Sequence, residues 1–322
     1  MQKRRLGRTN LDISVLGFGA GAVGGLMTKG TPGDQERALA RALELGINYI
    51  DTAPLYGNGE SERNLGRILK VLKPDVVIGT KVRLKAADRG RIGDFVAQSL
   101  DESLHRLGRD HVDLFQLHNP LVARDADDHL AIDIALNEVV PAMQRLQKAG
   151  KTRFIGFSGV GETDALLKAI ASGAFDTMQV VYNLLNPSAG QPMPKGAPGQ
   201  DYNRLLERTK AMDMGTIVIR ALAGGALAGT TERHPLAMQQ VAPIGSAANF
   251  VEDVARAKAL EPLVKQGLAE SLTELAQRFV IANPTVTTML VGYSTLEQLE
   301  QAAAAVEKGP LPAEVLKRIN HA

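Results

Sequence analysis

At 322 residues the chain is within reach of one large α/β domain, and no Ser-rich or charged linker divides it, so a single domain over 1–322 is expected. Opposite charges are interleaved to a formal net charge of +2, with 44% hydrophobic and 22% charged residues, which gives no reason to expect nucleic acid or a membrane as partner. The lack of cysteine excludes a disulfide framework, a thiolate nucleophile and a thiolate metal site. The N-terminus has no apolar core of signal-peptide length and no stretch nears the ~18 apolar residues of a spanning helix, so a cytoplasmic location is expected.

The first residues, KRRLGRTNLDIS, read as a hairpin around a Gly7 to Asn10 turn that could plug one end of a barrel. Eight strand-like runs follow, at Ser14 to Gly19, Ile47 to Thr52, Val76 to Val82, Val112 to His118, Phe154 to Ser158, Met178 to Asn183, Thr216 to Arg220 and Thr288 to Gly292. Segments with apolar residues at helical spacing separate them, such as Ala38, Leu39, Ala42, Leu43 and Leu45, or Val96, Leu100, Leu104 and Leu107. This βα alternation builds a parallel sheet, and eight units point to a (β/α)8 TIM barrel, with a doubly wound open sheet as the alternative. Gly19, Gly21 and Gly24 show GxGxxG spacing, but the residues after them read as loop and helical periodicity starts only after Pro32. They are therefore expected in a flexible loop over the barrel mouth. Three connections are longer than a βα loop needs, Asn119 to Ile134, Leu184 to Tyr202 and Ala223 to Phe250. All follow a strand, so long loops are expected on the C-terminal face.

Barrel enzymes keep their chemistry at the C-terminal strand ends, where side chains from different strands converge. Asp51 and Tyr56 follow the second strand, Lys81 ends IGTKV, and His118 ends DLFQLH. A lysine in a strand of Val, Ile and Gly needs a buried partner, and Asp51 can serve. A charge at ~4 Å and an effective dielectric of ~20 is worth ~4 kcal/mol, so Lys81 is expected to bring the Tyr56 phenol from ~10 to near ~7. Such a phenol suits acid/base catalysis. The other histidines, His105, His111, His129, His234 and His321, fall on a helix, before a strand, in loops or at the terminus. No two histidines stand at ligand spacing, so no metal site is expected, and Ser158 and Ser61 lack a nucleophile-elbow context.

The order D-x4-Y, then K, then H, each at a strand end, with NYIDTAPLYGNGESE, IGTKV, VDLFQLH and RFIGFS, resembles the aldo-keto reductases. The resemblance runs from Leu6 to about Ala302. It implies a (β/α)8 barrel with a hairpin at its base, binding NADP(H) or NAD(H) without a Rossmann domain. It also implies hydride transfer to a small aldehyde, ketone or sugar, or the reverse oxidation. In that scheme Tyr56 is proton donor, Lys81 and Asp51 tune it, and His118 orients the carbonyl oxygen. Cofactor contacts are implied for Gly19, for Ser158 and Gln179 at the carboxamide, and for Arg220, Ala221, Leu222 and Gly224 in the pyrophosphate loop. Gly292, Ser294, Thr295 and Gln298 match the adenosine-binding stretch, and Gln301 belongs to it too, standing where an acid is common. Gly159 stands where an Asn is usual, as in members that oxidise aldoses, so an aldose 1-dehydrogenase is the alternative. The stacking aromatic is replaced by Ile219 or Arg220. A cofactor-sensing regulatory subunit is a further reading, though such members typically carry extra segments that are not expected here. No basic residue lies between Gly292 and Val306, so weak discrimination between the two cofactors is expected.

Overall fold

The structure, a computed structural model, describes residues 1–319. It opens with a hairpin of β1 (Lys3–Arg5) and β2 (Asp12–Ser14), joined through a single turn of 3-10 helix at Gly7–Thr9. Leu6 and Ile13 bury into the barrel floor against Tyr49, Val77, Leu114 and Ile217, so the hairpin forms the expected plug. Asn48 fastens it: its amide donates to the Asp12 carbonyl at 2.9 Å and accepts from the Ser14 N–H at 2.7 Å.

Eight parallel strands close the barrel: β3 (Leu16–Gly19), β4 (Tyr49–Asp51), β5 (Val77–Val82), β6 (Val112–Leu117), β9 (Thr152–Gly159), β10 (Thr177–Val181), β11 (Gly215–Ile219) and β12 (Thr288–Gly292), which pairs back onto β3. A closed barrel replaces the open-sheet alternative. β4 is shorter than its apolar run because Asn48 spends its polar groups on the hairpin. The sixth run ends at Val181 because Asn183 turns the chain, its side chain accepting from the N–H groups of Leu185 and Asn186.

Amphipathic helices cover the sheet, among them Pro32–Glu44, Glu60–Leu72, Ile92–Leu107, Leu272–Ala282 and Leu296–Glu307. Their starts are written locally. Thr31, Ser271 and Thr295 each accept a backbone N–H three residues on, and Pro32 occupies the first helical position. No helix among the described residues is long and apolar enough to cross a membrane.

The loop regions depart most from expectation. The first long connection contains two short paired strands, β7 (Leu121–Val122) and β8 (Leu130–Ala131). The glycine cluster is not a free loop over the mouth: Gly24 and Gly25 are buried, and a helical turn at Leu26–Lys29 follows directly. A Cβ on Gly24 would overlap the backbone of Gly292 and Tyr293, and one on Gly25 would overlap the Leu236 carbonyl. Sequence periodicity registers no close backbone approach of this kind, which glycine alone permits. The third long connection crosses to the same place, where Met238 N–H donates to the carbonyl of Ala22 at 3.2 Å.

Candidate active site

The four residues expected at the strand ends are brought together. Asp51 closes β4, Tyr56 follows in the turn before helix Glu60–Leu72, Lys81 is the fifth residue of β5, and His118 follows β6. The β5–β6 register sets Lys81 beside Gln116 and Val82 beside Leu117, and the His118 N–H donates to the Val82 carbonyl at 2.8 Å. Lys81 and Asp51 are fully buried, whereas Tyr56 and His118 keep part of their surface in the cleft.

All three Lys81 protons have acceptors. Its ammonium pairs with Asp51 Oδ1, and donates to the Thr52 carbonyl at 2.9 Å and to the Tyr56 hydroxyl at 3.1 Å. The other carboxylate oxygen of Asp51 accepts from Gln179 at 2.7 Å, Tyr49 at 3.1 Å and Gln116 at 3.3 Å. A buried ion pair survives desolvation only when its remaining lone pairs and protons are satisfied in this way. The imidazole of His118 stands edge-on to the Tyr56 ring, with centroids 5.9 Å apart.

The phenol does not titrate where the charge argument put it. Burial pushes the Tyr56 hydroxyl up, the Lys81 charge pulls it down, and the Asp51 charge pushes it up again, for a value above the ordinary 10. The expected ~7 follows from Lys81 alone, whereas desolvation and the carboxylate that neutralises Lys81 both act the other way. Burial works against the Lys81 ammonium too, but Asp51 and then Tyr56 outweigh it and raise its pKa. Burial, followed by the charges of Lys81 and Arg83, drives His118 well below 6.5. At neutral pH the site therefore holds a protonated phenol, a charged lysine and a neutral imidazole.

Across the barrel the ends of β9 to β12 carry the residues expected around a cofactor. Ser158 Oγ and Gln179 Oε1 are 3.4 Å apart, and Gln179 reaches the acid/base group as well as the cleft. After β11, Arg220, Ala223, Gly224 and Gly225 all have positive φ, and the N–H groups of Ala223 and Gly225 donate within the loop to the carbonyls of Arg220 and Leu222 at 2.7 and 2.8 Å. Ala221 is buried and Leu222 half-buried beside them. Gly19 and Gly292 pair at the β3–β12 seam, leaving bare backbone where a Cβ on Gly19 would meet the Val291 carbonyl at 2.9 Å. Ser294 donates to the Gly24 carbonyl at 2.6 Å, so its hydroxyl is already committed. Thr295 caps helix Leu296–Glu307, the Gln298 side-chain oxygen accepts from the Ser294 N–H at 2.8 Å, and Gln301 donates to Glu297 at 3.1 Å. The loop after β11, the amide and hydroxyl at β10 and β9, and the start of helix Leu296–Glu307 could hold the pyrophosphate, carboxamide and adenosine parts of a nicotinamide dinucleotide.

Tyr49 and Gln116 were not foreseen. The signal was present: Tyr49 lies two residues before Asp51, on the same face of its strand, and Gln116 is a polar break in the run VDLFQL. Of the histidines set aside, His105 is on a helix, His111 precedes β6, and His129 and His234 lie in loops; His321 is outside the described residues. Among the described residues no three His, Cys, Asp or Glu side chains gather as a metal site.

Comparison with known proteins identifies the family and the fold. The model of the aldo/keto reductase family matches residues 15–322. The chain is 30% identical over 311 residues to L-galactose dehydrogenase of Arabidopsis thaliana, covering 95% of this chain and 88% of that protein. It is 32% identical over 212 residues to D-threo-aldose 1-dehydrogenase of a Pseudomonas species, covering 57% of this chain and 62% of that one. Among solved structures, the holo form of the aldo-keto reductase AKR11C1 from Bacillus halodurans superposes with a TM-score of 0.74 at 26% identity, covering 100% of this chain and 96% of that one.

Proposed function

The chain belongs to the aldo/keto reductase family, and from that premise we propose that it transfers hydride between a nicotinamide dinucleotide and a small aldehyde, ketone or sugar, with Tyr56 as the general acid. The observation that carries this reading is the Lys81 ammonium, held by Asp51 and donating to the Tyr56 hydroxyl at 3.1 Å. When bound, the nicotinamide supplies the hydride. The carbonyl carbon gains that hydride and its two electrons, the oxygen gains the Tyr56 proton, and C=O becomes CH–OH. The Lys81 ammonium stabilises the phenolate left behind. Asp51 keeps that ammonium charged, and the neutral His118 imidazole orients the carbonyl oxygen. Ser158 and Gln179 would hold the carboxamide, the loop from Arg220 to Gly224 the pyrophosphate, and Thr295 and Gln298 the adenosine end.

A second reading, oxidation of an aldose at its first carbon, is supported by the sugar dehydrogenases among the relatives and by Gly159 standing where the family usually has an Asn. The two readings demand opposite states of one phenol: reduction needs it protonated, and oxidation needs the phenolate. A phenol held above 10 favours reduction at neutral pH and makes oxidation climb with pH. The test is steady-state turnover of carbonyl and aldose panels with both cofactors from pH 6 to 10. Reduction that is slower than aldose oxidation at pH 7 selects the second reading, and no turnover of either kind returns the chain to a regulatory role.

A further inference from the structure

Arg83 lies two residues beyond Lys81 on the continuation of β5, and the pleat sends alternate side chains to the same face. Lys81 is buried with its ammonium on the Tyr56 hydroxyl, Val82 is buried, and Arg83 follows just past the end of β5, about 6.5 Å beyond Lys81 along an extended chain. The β5–β6 register, continued by one residue, sets Arg83 beside His118. Asn119 fixes this segment, its amide accepting from the Leu84 N–H at 2.9 Å and donating to the Leu84 carbonyl at 2.7 Å. The backbone that carries Arg83 is therefore held on both sides, by His118 and by Asn119.

The guanidinium has a weak partner. Arg83 is 29% exposed, and its ion pair is with Asp128 at 3.8 Å, a residue 66% exposed in the loop between β7 and β8. Nearer the phenol there is no negative charge to spare, because Asp51 is consumed by Lys81 and three side-chain donors. Arg220, on the far side of the cleft, donates to the Ala242 carbonyl at 3.2 Å, and among the described residues no carboxylate lies within ion-pair distance of it. With Arg220 placed in the loop assigned to the cofactor, Arg83 is the cation beside His118 that is left for a substrate.

We propose that Arg83 is a specificity-determining residue that binds an anionic oxygen group, carboxylate or phosphate, on a short carbonyl substrate whose carbonyl oxygen meets Tyr56 and His118. Asp128 occupies the guanidinium when no substrate is present and yields to the stronger, less hydrated contact of the substrate anion. The inference rests on the carbonyl-reduction reading above.

The test compares kcat/KM for succinic semialdehyde against butyraldehyde and for glycolaldehyde phosphate against glycolaldehyde, in the native enzyme, Arg83→Gln and Asp128→Asn. A charge-assisted contact predicts a native preference for at least one anion of roughly tenfold to a hundredfold. Arg83→Gln should erase that preference through KM, with kcat on the anionic substrate changing little. Asp128→Asn, which removes the competing carboxylate, should raise it. The pair that shows the preference identifies the anion as carboxylate or phosphate. Equal kcat/KM within each native pair, or a preference that survives Arg83→Gln, overturns the inference while leaving carbonyl reduction standing. If no carbonyl is turned over, the reduction reading falls, and calorimetric titration with succinate and with inorganic phosphate then decides Arg83 alone. Binding lost in Arg83→Gln supports it, and no binding by the native protein overturns it.

Discussion

The two halves of the barrel mouth are built on different principles. At β4 to β6 the chain places ionisable side chains and satisfies them with protein groups: Asp51 receives Lys81, Tyr49 and Gln116 from the same half and Gln179 from β10, and Lys81 spends its protons on Asp51, Thr52 and Tyr56. At β9 to β12 it places bare backbone, hydroxyls, amides and Arg220, whose guanidinium donates to the Ala242 carbonyl. The first half is complete as it stands, because electrostatic preorganisation works only if the groups are already in place when charge moves. The second is unfinished and is completed by what it binds. Damage to the first should therefore appear in turnover, and damage to the second in binding and selectivity.

The sharpest test of that division is Tyr56→Phe. It removes only the proton carrier and should lower kcat by ~10² to 10⁴, while cofactor affinity, read by quenching or enhancement of cofactor fluorescence, stays nearly constant. Activity within about tenfold of the parent would take Tyr56 out of the acid's role.

Lys81→Met should come close to that loss, and Tyr56→Phe combined with Lys81→Met should be little worse than either alone, because groups that act as one unit are not additive. The substitution also strands a buried carboxylate, which typically costs about 3–5 kcal/mol of stability. Thermal unfolding of Lys81→Met must therefore be measured beside its kinetics. Losses that multiply would show Lys81 acting apart from the phenol.

The second half predicts smaller effects. A dinucleotide's 2′-phosphate, carried by NADP(H) alone, would find the Thr295 hydroxyl and the Gln298 side-chain nitrogen, since Ser294 is committed to Gly24. Lys308, a cation close by in sequence, is held by Glu270 and Glu274 at 2.7 Å each. Neutral donors limit the preference for NADP(H) over NAD(H) to at most roughly 10² in kcat/KM. Gln298→Arg should raise it, and a native preference above roughly 10³ would show that a cation reaches the phosphate after all.

The smallest effect belongs to pH. His118 is held neutral in the fold but accepts a proton in the unfolded chain near its ordinary 6.5. The unfolded state therefore binds more protons below that value. Stability is complete above it and declines as the pH falls, by at most about 1.4 kcal/mol per pH unit from this group. Chemical denaturation of the native protein and of His118→Gln across pH 5 to 8 should show the slope reduced in the variant.

These two regions also differ in how well they can be read from sequence. Barrel, plug and the four groups at β4 to β6 were legible because each rests on a local pattern, an apolar run ending in a residue that has no place in one. Lys81 after IGT and His118 after DLFQL are such residues. The same signal at Gln116 and Arg83 was equally visible and went unread. What no local pattern holds is contact between distant loops. Gly24 looks like a loop glycine until Tyr293 is set against it, and Ser294 looks like a free donor until its hydroxyl meets Gly24. The pKa of Tyr56 failed for the same reason, since burial belongs to the assembled barrel and a single pair of charges does not report it.

The seam between β3 and β12 joins Leu16 through Gly19 to Met289 through Gly292. During synthesis, at about 5–20 residues per second, Gly292 is added about 15–60 s after the first residue. Until then β3 has no second neighbour, and its edge is an open template for another strand. Pairing at such sequence separation is also slow to find, because loop closure comes before any reward. Asp51, Lys81 and His118 are therefore in the chain well before the strand that shuts the barrel, whereas the seam waits for Gly292.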